Sequence, residues 1–218
     1  MNGGLSPEKL TLIYGEPETG KTTLALQFAV NCALQGFKTL FIDCENTFST
    51  QRLQHISQDK FDLVADQIIL IRPKDFNEQA YVVDRAKDYV QKGFGLIVFD
   101  TLTSLYGAKV SETEKKAFGL NRELNRQLAI IAETAKTRKI SVLFTSQVRS
   151  VLSDTNHSVR PVATRVLKFW ADTIIALNPT EFPQTFRAVF EKSRENLEEK
   201  TCWVQIGEAG INDSQFHQ

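Results

Sequence analysis

The eight residues from Gly15 to Thr22 constrain the fold of this chain more than any other segment. They read Gly-Glu-Pro-Glu-Thr-Gly-Lys-Thr and match the complete P-loop pattern. The apolar run at residues 10–14 precedes them, and the amphipathic segment at residues 21–34 follows. A phosphate-binding loop needs this strand, loop and helix order, so the match predicts a nucleotide site. A glycine-rich turn that only joins a strand to a helix is the competing interpretation, and the complete pattern disfavours it.

The residue types in this loop suit the binding of ATP with Mg²⁺. Glycines allow a tight turn whose N–H groups surround the β-phosphate, and the following helix adds its positive dipole end. Lys21 would neutralise charge on the β- and γ-phosphates, and the Thr22 hydroxyl would coordinate Mg²⁺. The expected nucleotide contacts are Gly15, Glu16, Pro17, Glu18, Thr19, Gly20, Lys21, Thr22 and Thr23.

Short apolar runs alternate with longer amphipathic segments along most of the chain. After the first run, further strands are predicted at residues 39–43, 67–71, 96–99 and 141–145, and helices at 77–92 and 112–139. This alternation predicts an α/β fold, in which helices flank a twisted and mostly parallel sheet. Residues 185–192 and 201–206 read as two strands without an intervening helix, which predicts an antiparallel C-terminal extension.

Composition indicates one domain over residues 1–218. The 42% of hydrophobic residues suffice for one sizeable core, and no linker-like stretch divides the chain. The 26 basic and 26 acidic residues cancel, so any contact with DNA has to be local. No apolar run approaches the roughly 20 residues of a membrane span. Cys32, Cys44 and Cys202 form no metal motif, and we expect a cytoplasmic protein.

Two acidic residues that follow predicted strands are candidates for the catalytic chemistry. Asp100 ends the run at residues 95–100 at the carboxyl edge of the sheet, where it can hold the Mg²⁺ hydration shell beside Thr22. Glu45 ends the second strand, read here through residues 41–45, which we expect near the P-loop strand, and is the candidate base for the attacking water. Strand alternation places Asp43 and Glu45 on the same face, with Glu45 further out toward the nucleotide. Asp43 is the competing acid. Asp100 and Glu45 could each instead be a solvated residue at a strand end.

At this point several segments resemble a known family. The order GEPETGKTTLALQF, FIDCENTFSTQRL, LIVFDTLTSLYG and VLFTSQV is similar to the core of RecA, RadA and their paralogues, and the short layout resembles the archaeal RadB paralogues most. The resemblance implies a RecA-like P-loop NTPase core with Glu45 as the catalytic base. It also implies that Arg52 stacks on adenine, as a guanidinium can. Gln147 corresponds to the glutamine that senses the γ-phosphate.

The resemblance further implies contacts with DNA, single-stranded by preference. Residues 149–160 match the position of the second DNA-binding loop of the family, and nearby cations supply a local positive charge. The candidate DNA contacts are Arg149, Arg160, Arg165 and Lys168. Cations spread in this way are also typical of a solvated surface. Lys192 or Arg194 could approach the nucleotide of a neighbouring subunit in a homo-oligomer, although a solvated charged hairpin explains them as well.

Three departures from recombinases shape the expected function. The sequence begins almost at the P-loop strand, so we expect neither the N-terminal DNA-binding domain nor the subunit linker. The loop through residues 106–109 is short and poor in arginine, and residues 162–165 replace the glycines that usually follow the second loop. We therefore expect a weakly hydrolysing recombinase paralogue or mediator in homologous recombination and DNA repair, acting on a RadA-type recombinase without strand exchange of its own.

Two alternative functions come from other classes. A KaiC-like signalling ATPase or kinase shares the P-loop and strand order, but that family usually has two adjacent acids where this chain has Glu45 and Asn46. A non-hydrolysing scaffold would use ATP only to set its shape. ATP turnover measured with and without single-stranded DNA separates these alternatives.

Overall fold

A computed structural model of the chain describes residues 4–113, 117–147, 160–193 and 200–214. Within these ranges, nine strands form one sheet in the spatial order β3-β2-β4-β5-β1-β6-β7-β8-β9. The strands are β1 (Leu10–Gly15), β2 (Lys38–Asp43), β3 (Ile68–Ile71), β4 (Phe94–Asp100), β5 (Ser141–Gln147), β6 (Thr173–Pro179), β7 (Thr185–Lys192), β8 (Thr201–Gly207) and β9 (Gly210–Asp213).

The first six strands in the chain are parallel, so their carboxyl ends share one edge. β1 pairs with β5 on one side and with β6 on the other, and its last residue, Gly15, lies opposite Gln147 of β5. β4 lies between β5 and β2, with Asp43 opposite Asp100. The expected nearness of β2 to the P-loop strand was therefore wrong, since β4 and β5 separate β2 from β1.

The antiparallel extension is confirmed and is longer than the two predicted strands. β7 pairs antiparallel with β6, β8 with β7, and β9 with β8. β6 was not predicted, although it contains a run of five apolar or β-branched residues from Thr173 to Leu177. This strand matters for the site because it borders β1 on the side opposite β5.

Helices cover both faces of the sheet. They are α1 (Lys21–Leu34), α2 (Thr50–Ser57), α3 (Phe61–Ala65), α4 (Phe76–Asp84), α5 (Ala86–Tyr89), α6 (Ser104–Glu112), α7 (Ala117–Arg138) and α8 (Arg160–Trp170). Alternation along the strands divides the core between the two faces. Leu12 and Ile42 face the cluster under α4 to α8, whereas their neighbours Ile13 and Phe41 face the cluster under α1 to α3.

Several helix predictions need correction. The segment predicted as one helix at 77–92 consists of α4 and α5, and the one predicted at 112–139 is α7, which begins at Ala117. Residues 106–109 are not a loop but part of α6, because Tyr106 and Val110, four residues apart, are both buried on one face. Residues 162–165 likewise lie within α8. None of the described helices is long and apolar enough to cross a membrane.

The packing of α7 gives a test of the fold. Leu128 is completely buried against the sheet, whereas Phe118 in the same helix is 84% exposed. We expect Leu128→Ala to lower the free energy of unfolding by about 2–5 kcal/mol, because it leaves a cavity. Phe118→Ala should change it by less than about 0.5 kcal/mol. Urea unfolding followed by tryptophan fluorescence measures both, and equal losses would contradict the orientation of α7.

Candidate nucleotide and catalytic site

The P-loop turns sharply between β1 and α1 and requires glycine at two positions. A Cβ atom on Gly15 would lie 2.4 Å from the Leu177 carbonyl oxygen of β6. Gly20 has a φ of +83°, and a Cβ atom there would lie 2.6 Å from the Ile206 side chain. Residues with side chains would therefore clash at both positions, and the left-handed backbone at Gly20 is itself costly for them.

Lys21 folds back into this loop. Only 5% of the residue is exposed, and its ammonium group donates to the Glu16 carbonyl oxygen at 2.5 Å and to the Thr19 hydroxyl at 3.3 Å. Burial lowers the pKa of Lys21, against the opposing attraction of the Asp100 and Glu45 carboxylates. The ammonium group thus lies inside the loop, where its interaction with a bound phosphate would be strong.

Asp100 and Thr22 form the expected pair at the carboxyl edge. The Thr22 hydroxyl donates to Asp100 Oδ2 at 2.7 Å, and the Thr145 hydroxyl of β5 donates to Oδ1 at 2.5 Å. Burial raises the pKa of Asp100, and the two hydroxyl donors partly oppose this shift. A hydroxyl beside a carboxylate is an oxygen donor set of the kind that Mg²⁺ takes together with water and phosphate oxygens, so these residues fit the ion.

Glu45 and Gln147, which are 102 positions apart in the sequence, are in direct contact. The Gln147 amide donates to both carboxylate oxygens of Glu45, at 2.8 and 3.1 Å. The Thr101 hydroxyl, directly after Asp100, donates to Glu45 at 2.8 Å. Glu45 is half-buried and Gln147 is exposed. The two side chains singled out for water activation and γ-phosphate sensing therefore meet at the edge where the P-loop lies.

Asp43 has a different environment from Glu45. Strand β2 ends at Asp43, so strand alternation does not extend to Glu45 as expected. The Asp43 side chain is fully buried and accepts hydrogen bonds from the backbone of Thr47 and Phe48 and from Arg72, at 2.9 to 3.1 Å. These donors hold the segment after β2. The geometry thus gives Asp43 a structural role and leaves Glu45 at the edge of the site.

Arg52 is held by the C-terminal hairpin. Its guanidinium group donates to the carbonyl oxygens of Gly207 and Glu208, at 2.8 and 2.9 Å, in the turn between β8 and β9. Gln27 of α1 holds the same hairpin, because its amide both donates to and accepts from the backbone of Ile211. The sequence analysis missed Gln27. No local signal could reveal it, since its partner lies 184 positions away.

The candidate DNA contacts are in three different situations. Arg165 is exposed on α8. Lys168 is paired with Glu191 at 2.8 Å and with the Tyr14 hydroxyl at 2.9 Å, and its ammonium group lies 4.3 Å from the centre of the Tyr14 ring. Arg149 lies outside the described residues, and so does the side chain of Arg160, whose backbone begins α8.

Lys192 and Arg194 are the candidates for contact with the nucleotide of a neighbouring subunit, and the structure describes the side chain of the first alone. The Lys192 ammonium group donates to the Ala171 carbonyl oxygen at 2.5 Å, so it is held within its own chain. Arg194 lies outside the described residues. Neither observation tests a role at the nucleotide of another subunit.

The mostly parallel sheet, the loop after β1 and the acids at one edge define a RecA-like P-loop core. The Rad51 family model matches residues 1–214 of this chain. With this match over nearly the whole length, the chain belongs to the Rad51 family.

Individual relatives agree with this placement. DNA repair and recombination protein RadB of Methanothermobacter thermautotrophicus is 31% identical over 215 residues, which cover 97% of this chain and 90% of that protein. RadB of Thermococcus kodakarensis is 33% identical over 216 residues, or 98% of this chain and 94% of that protein. The crystal structure of a RadB recombinase superposes with a TM-score of 0.80 at 30% identity, covering 98% of this chain and 94% of that one.

The structural role of Asp43, in contrast to Glu45, can be tested by the stability of two variants. We expect Asp43→Ala to lower the free energy of unfolding by about 2–4 kcal/mol, because two backbone N–H groups and Arg72 lose their acceptor. Glu45→Ala removes a half-exposed side chain and should cost less than about 1 kcal/mol. Urea unfolding of both variants compares them directly. A larger loss for Glu45→Ala would contradict the structural role of Asp43.

Proposed function

We propose that the protein binds ATP with Mg²⁺ at the P-loop, hydrolyses it slowly, and contributes to homologous recombination and DNA repair. The observation that carries this proposal is the contact between Glu45 and Gln147 at the edge occupied by Lys21, Thr22 and Asp100. These are the groups that phosphoryl transfer to water requires: a cation for the phosphates, oxygen ligands for the metal and a carboxylate for the water. The RadB relatives are named as DNA repair and recombination proteins.

The chemistry divides among these side chains. Lys21 offsets the charge of the β- and γ-phosphates, while Thr22 and Asp100 would hold Mg²⁺, which would neutralise charge on the transferred group. Glu45 accepts a proton from the water whose oxygen attacks the γ-phosphorus, and the bond to ADP breaks. Gln147 is the exchangeable partner, because its amide can donate either to Glu45 or to a γ-phosphate oxygen.

The hydrogen bonds that the Glu45 carboxylate already accepts support slow ATP hydrolysis. Its carboxylate already accepts hydrogen bonds from Gln147 and Thr101. These three bonds occupy most of the roughly four acceptor positions of a carboxylate, so departure of the glutamine would free one position on each oxygen for an attacking water. Gln147 is the last residue of β5. A change of its hydrogen-bond partner would therefore act directly on the segment that follows, residues 148–159.

DNA contact is part of the proposal. Arg149, Arg160 and Arg165 are the proposed phosphate contacts, and we expect a preference for single strands. Lys168 contributes less charge than expected, because it is neutralised by Glu191 at 2.8 Å. Membership of the Rad51 family favours recombination over the signalling alternative.

The proposed partner is a RadA-type recombinase, on which the protein acts as a mediator without strand exchange of its own. The two segments that depart from the recombinase pattern, residues 106–109 and 162–165, lie in α6 and α8. Helical segments have less freedom to remodel around stretched DNA than loops have, which supports a role beside a recombinase. The two helical layers share one sheet, which supports a single ATPase domain over residues 1–218.

The function is tested by Glu45→Gln, which keeps the size of the side chain and removes the base. We expect this variant to bind ATP as the wild type does, while hydrolysis falls a hundred-fold or more, to roughly the background rate. Phosphate release and calorimetric titration measure the two quantities separately. Glu133→Gln, on the exposed face of α7, is the matched control.

A binding-defective comparison completes this experiment. Lys21→Ala removes the ammonium group from the loop and should weaken ATP binding by roughly ten-fold or more. Normal turnover in Glu45→Gln would assign the base to another acid. Unchanged ATP affinity in Lys21→Ala would refute the nucleotide site itself.

A further inference from the structure

Two phenylalanine side chains on the helical face are far more exposed than the other large apolar residues described. Phe118 of α7 is 84% exposed and Phe169 of α8 is 77% exposed, whereas the next value, for Tyr81, is 54%. A single exposed apolar residue is ordinary. Two neighbouring helices that each present a nearly bare aromatic ring suggest a surface that binds a partner.

Contacts between the helices join the two rings into one surface. Phe118, Arg122 and Asn125 are spaced as one stripe of α7, about 10 Å long. The Trp170 indole of α8 donates to the Asn125 side-chain oxygen at 3.3 Å, and the rings of Trp170 and Phe169 are 5.9 Å apart. The end of α8 therefore meets the α7 stripe, and Phe169 continues it.

Unpaired cations accompany the aromatic rings. Arg165 precedes Phe169 by one turn of α8, and both it and Arg122 are exposed. Within the described ranges, neither arginine forms an ion pair. Arg126, by contrast, is held by Asp84 at 2.6 Å and by Glu123 at 2.7 Å. We define the α7–α8 surface as Phe118, Arg122, Arg165 and Phe169.

The shape of α7 leaves room for a ligand beside these residues. Open space of about 660 Å³ lies beside α7, next to Gly119, Arg122, Glu123, Asn125 and Arg126. Gly119 directly follows Phe118, and nothing lies within 4 Å of the position that a Cβ atom would take there. Among the described residues, the side next to Gly119 is therefore open to a flat base that approaches the Phe118 ring.

We propose that the α7–α8 surface binds single-stranded nucleic acid, with Phe118 and Phe169 stacking on unpaired bases and Arg122 and Arg165 contacting phosphates. Aromatic rings interleaved with free cations are the means by which proteins hold single strands without reading sequence. Stacking needs bases that are not paired, which a duplex does not offer. This inference rests on the proposed DNA role and adds a specific site to it, apart from residues 148–159.

The proposal predicts separate effects of the aromatic rings and the arginines. In fluorescence anisotropy with a labelled oligothymidine, we expect Phe118→Ala and Phe169→Ala each to weaken binding roughly five-fold or more. Phe118→Tyr and Phe169→Tyr should restore most of the affinity. Arg122→Gln and Arg165→Gln should each reduce the slope of log affinity against log salt by about 0.7. Phe182→Ala, at 49% exposure near the turn between β6 and β7, is the control.

Photochemical cross-linking distinguishes direct contact between the rings and the bases from an indirect effect of the substitutions on binding. Oligothymidine that contains 5-iodouracil should cross-link on irradiation to the peptides with Phe118 or Phe169. Unfolding midpoints of the alanine variants should match the wild type, since both rings are exposed. If the wild type binds the oligonucleotide but the variants bind equally well and cross-links lie elsewhere, the inference is overturned and the proposed function stands. A wild type that hydrolyses ATP yet binds no DNA at low salt overturns the proposed DNA role as well.

Discussion

The register of four parallel strands is the constraint on which the site depends. β2 and β4 end with Asp43 opposite Asp100, and β1 and β5 end with Gly15 opposite Gln147, where β5 extends two residues beyond the end of β4. A slip of one residue would turn every side chain of a strand to the other face of the sheet. The residues on the two faces pack into two different core clusters under different helices, which disfavours such a slip. The same packing that stabilises the core thus sets the separation of the P-loop, the proposed metal ligands and Glu45.

Buried polar groups at this edge are tolerated because each has defined partners. Asp100 is completely buried, and the hydroxyls of Thr22 and Thr145 donate to its two oxygens. Asp43 has three donors from the following segment and from Arg72. An unpaired carboxylate at either position would be strongly destabilising. The proposed metal site and the support of the segment after β2 therefore use two acids on neighbouring strands, which leaves Glu45 available at the edge.

Sequence reasoning recovers what is encoded locally. The P-loop, the parallel strands and the carboxyl-edge positions of Asp100 and Gln147 follow from contiguous patterns. The separation of β2 from β1 does not, because strand order is decided by packing over the whole sheet. β6 was missed despite its apolar run, and α6 was taken for a loop although Tyr106 and Val110 have helical spacing. The hydrogen bonds of Arg52 to the turn at Gly207 depend on a hairpin 155 positions away. The pairing of Lys168 with Glu191 likewise needs the antiparallel extension to be in place.

The exchange of Gln147 from Glu45 to the γ-phosphate is the central claim for this site. It is tested most directly by a crystal structure with Mg²⁺ and a non-hydrolysable ATP analogue. We expect the Gln147 amide at about 3 Å from a γ-phosphate oxygen, with Glu45 released to face the position of the attacking water. A structure in which the nucleotide occupies the P-loop while Gln147 still donates to both oxygens of Glu45 would contradict this mechanism.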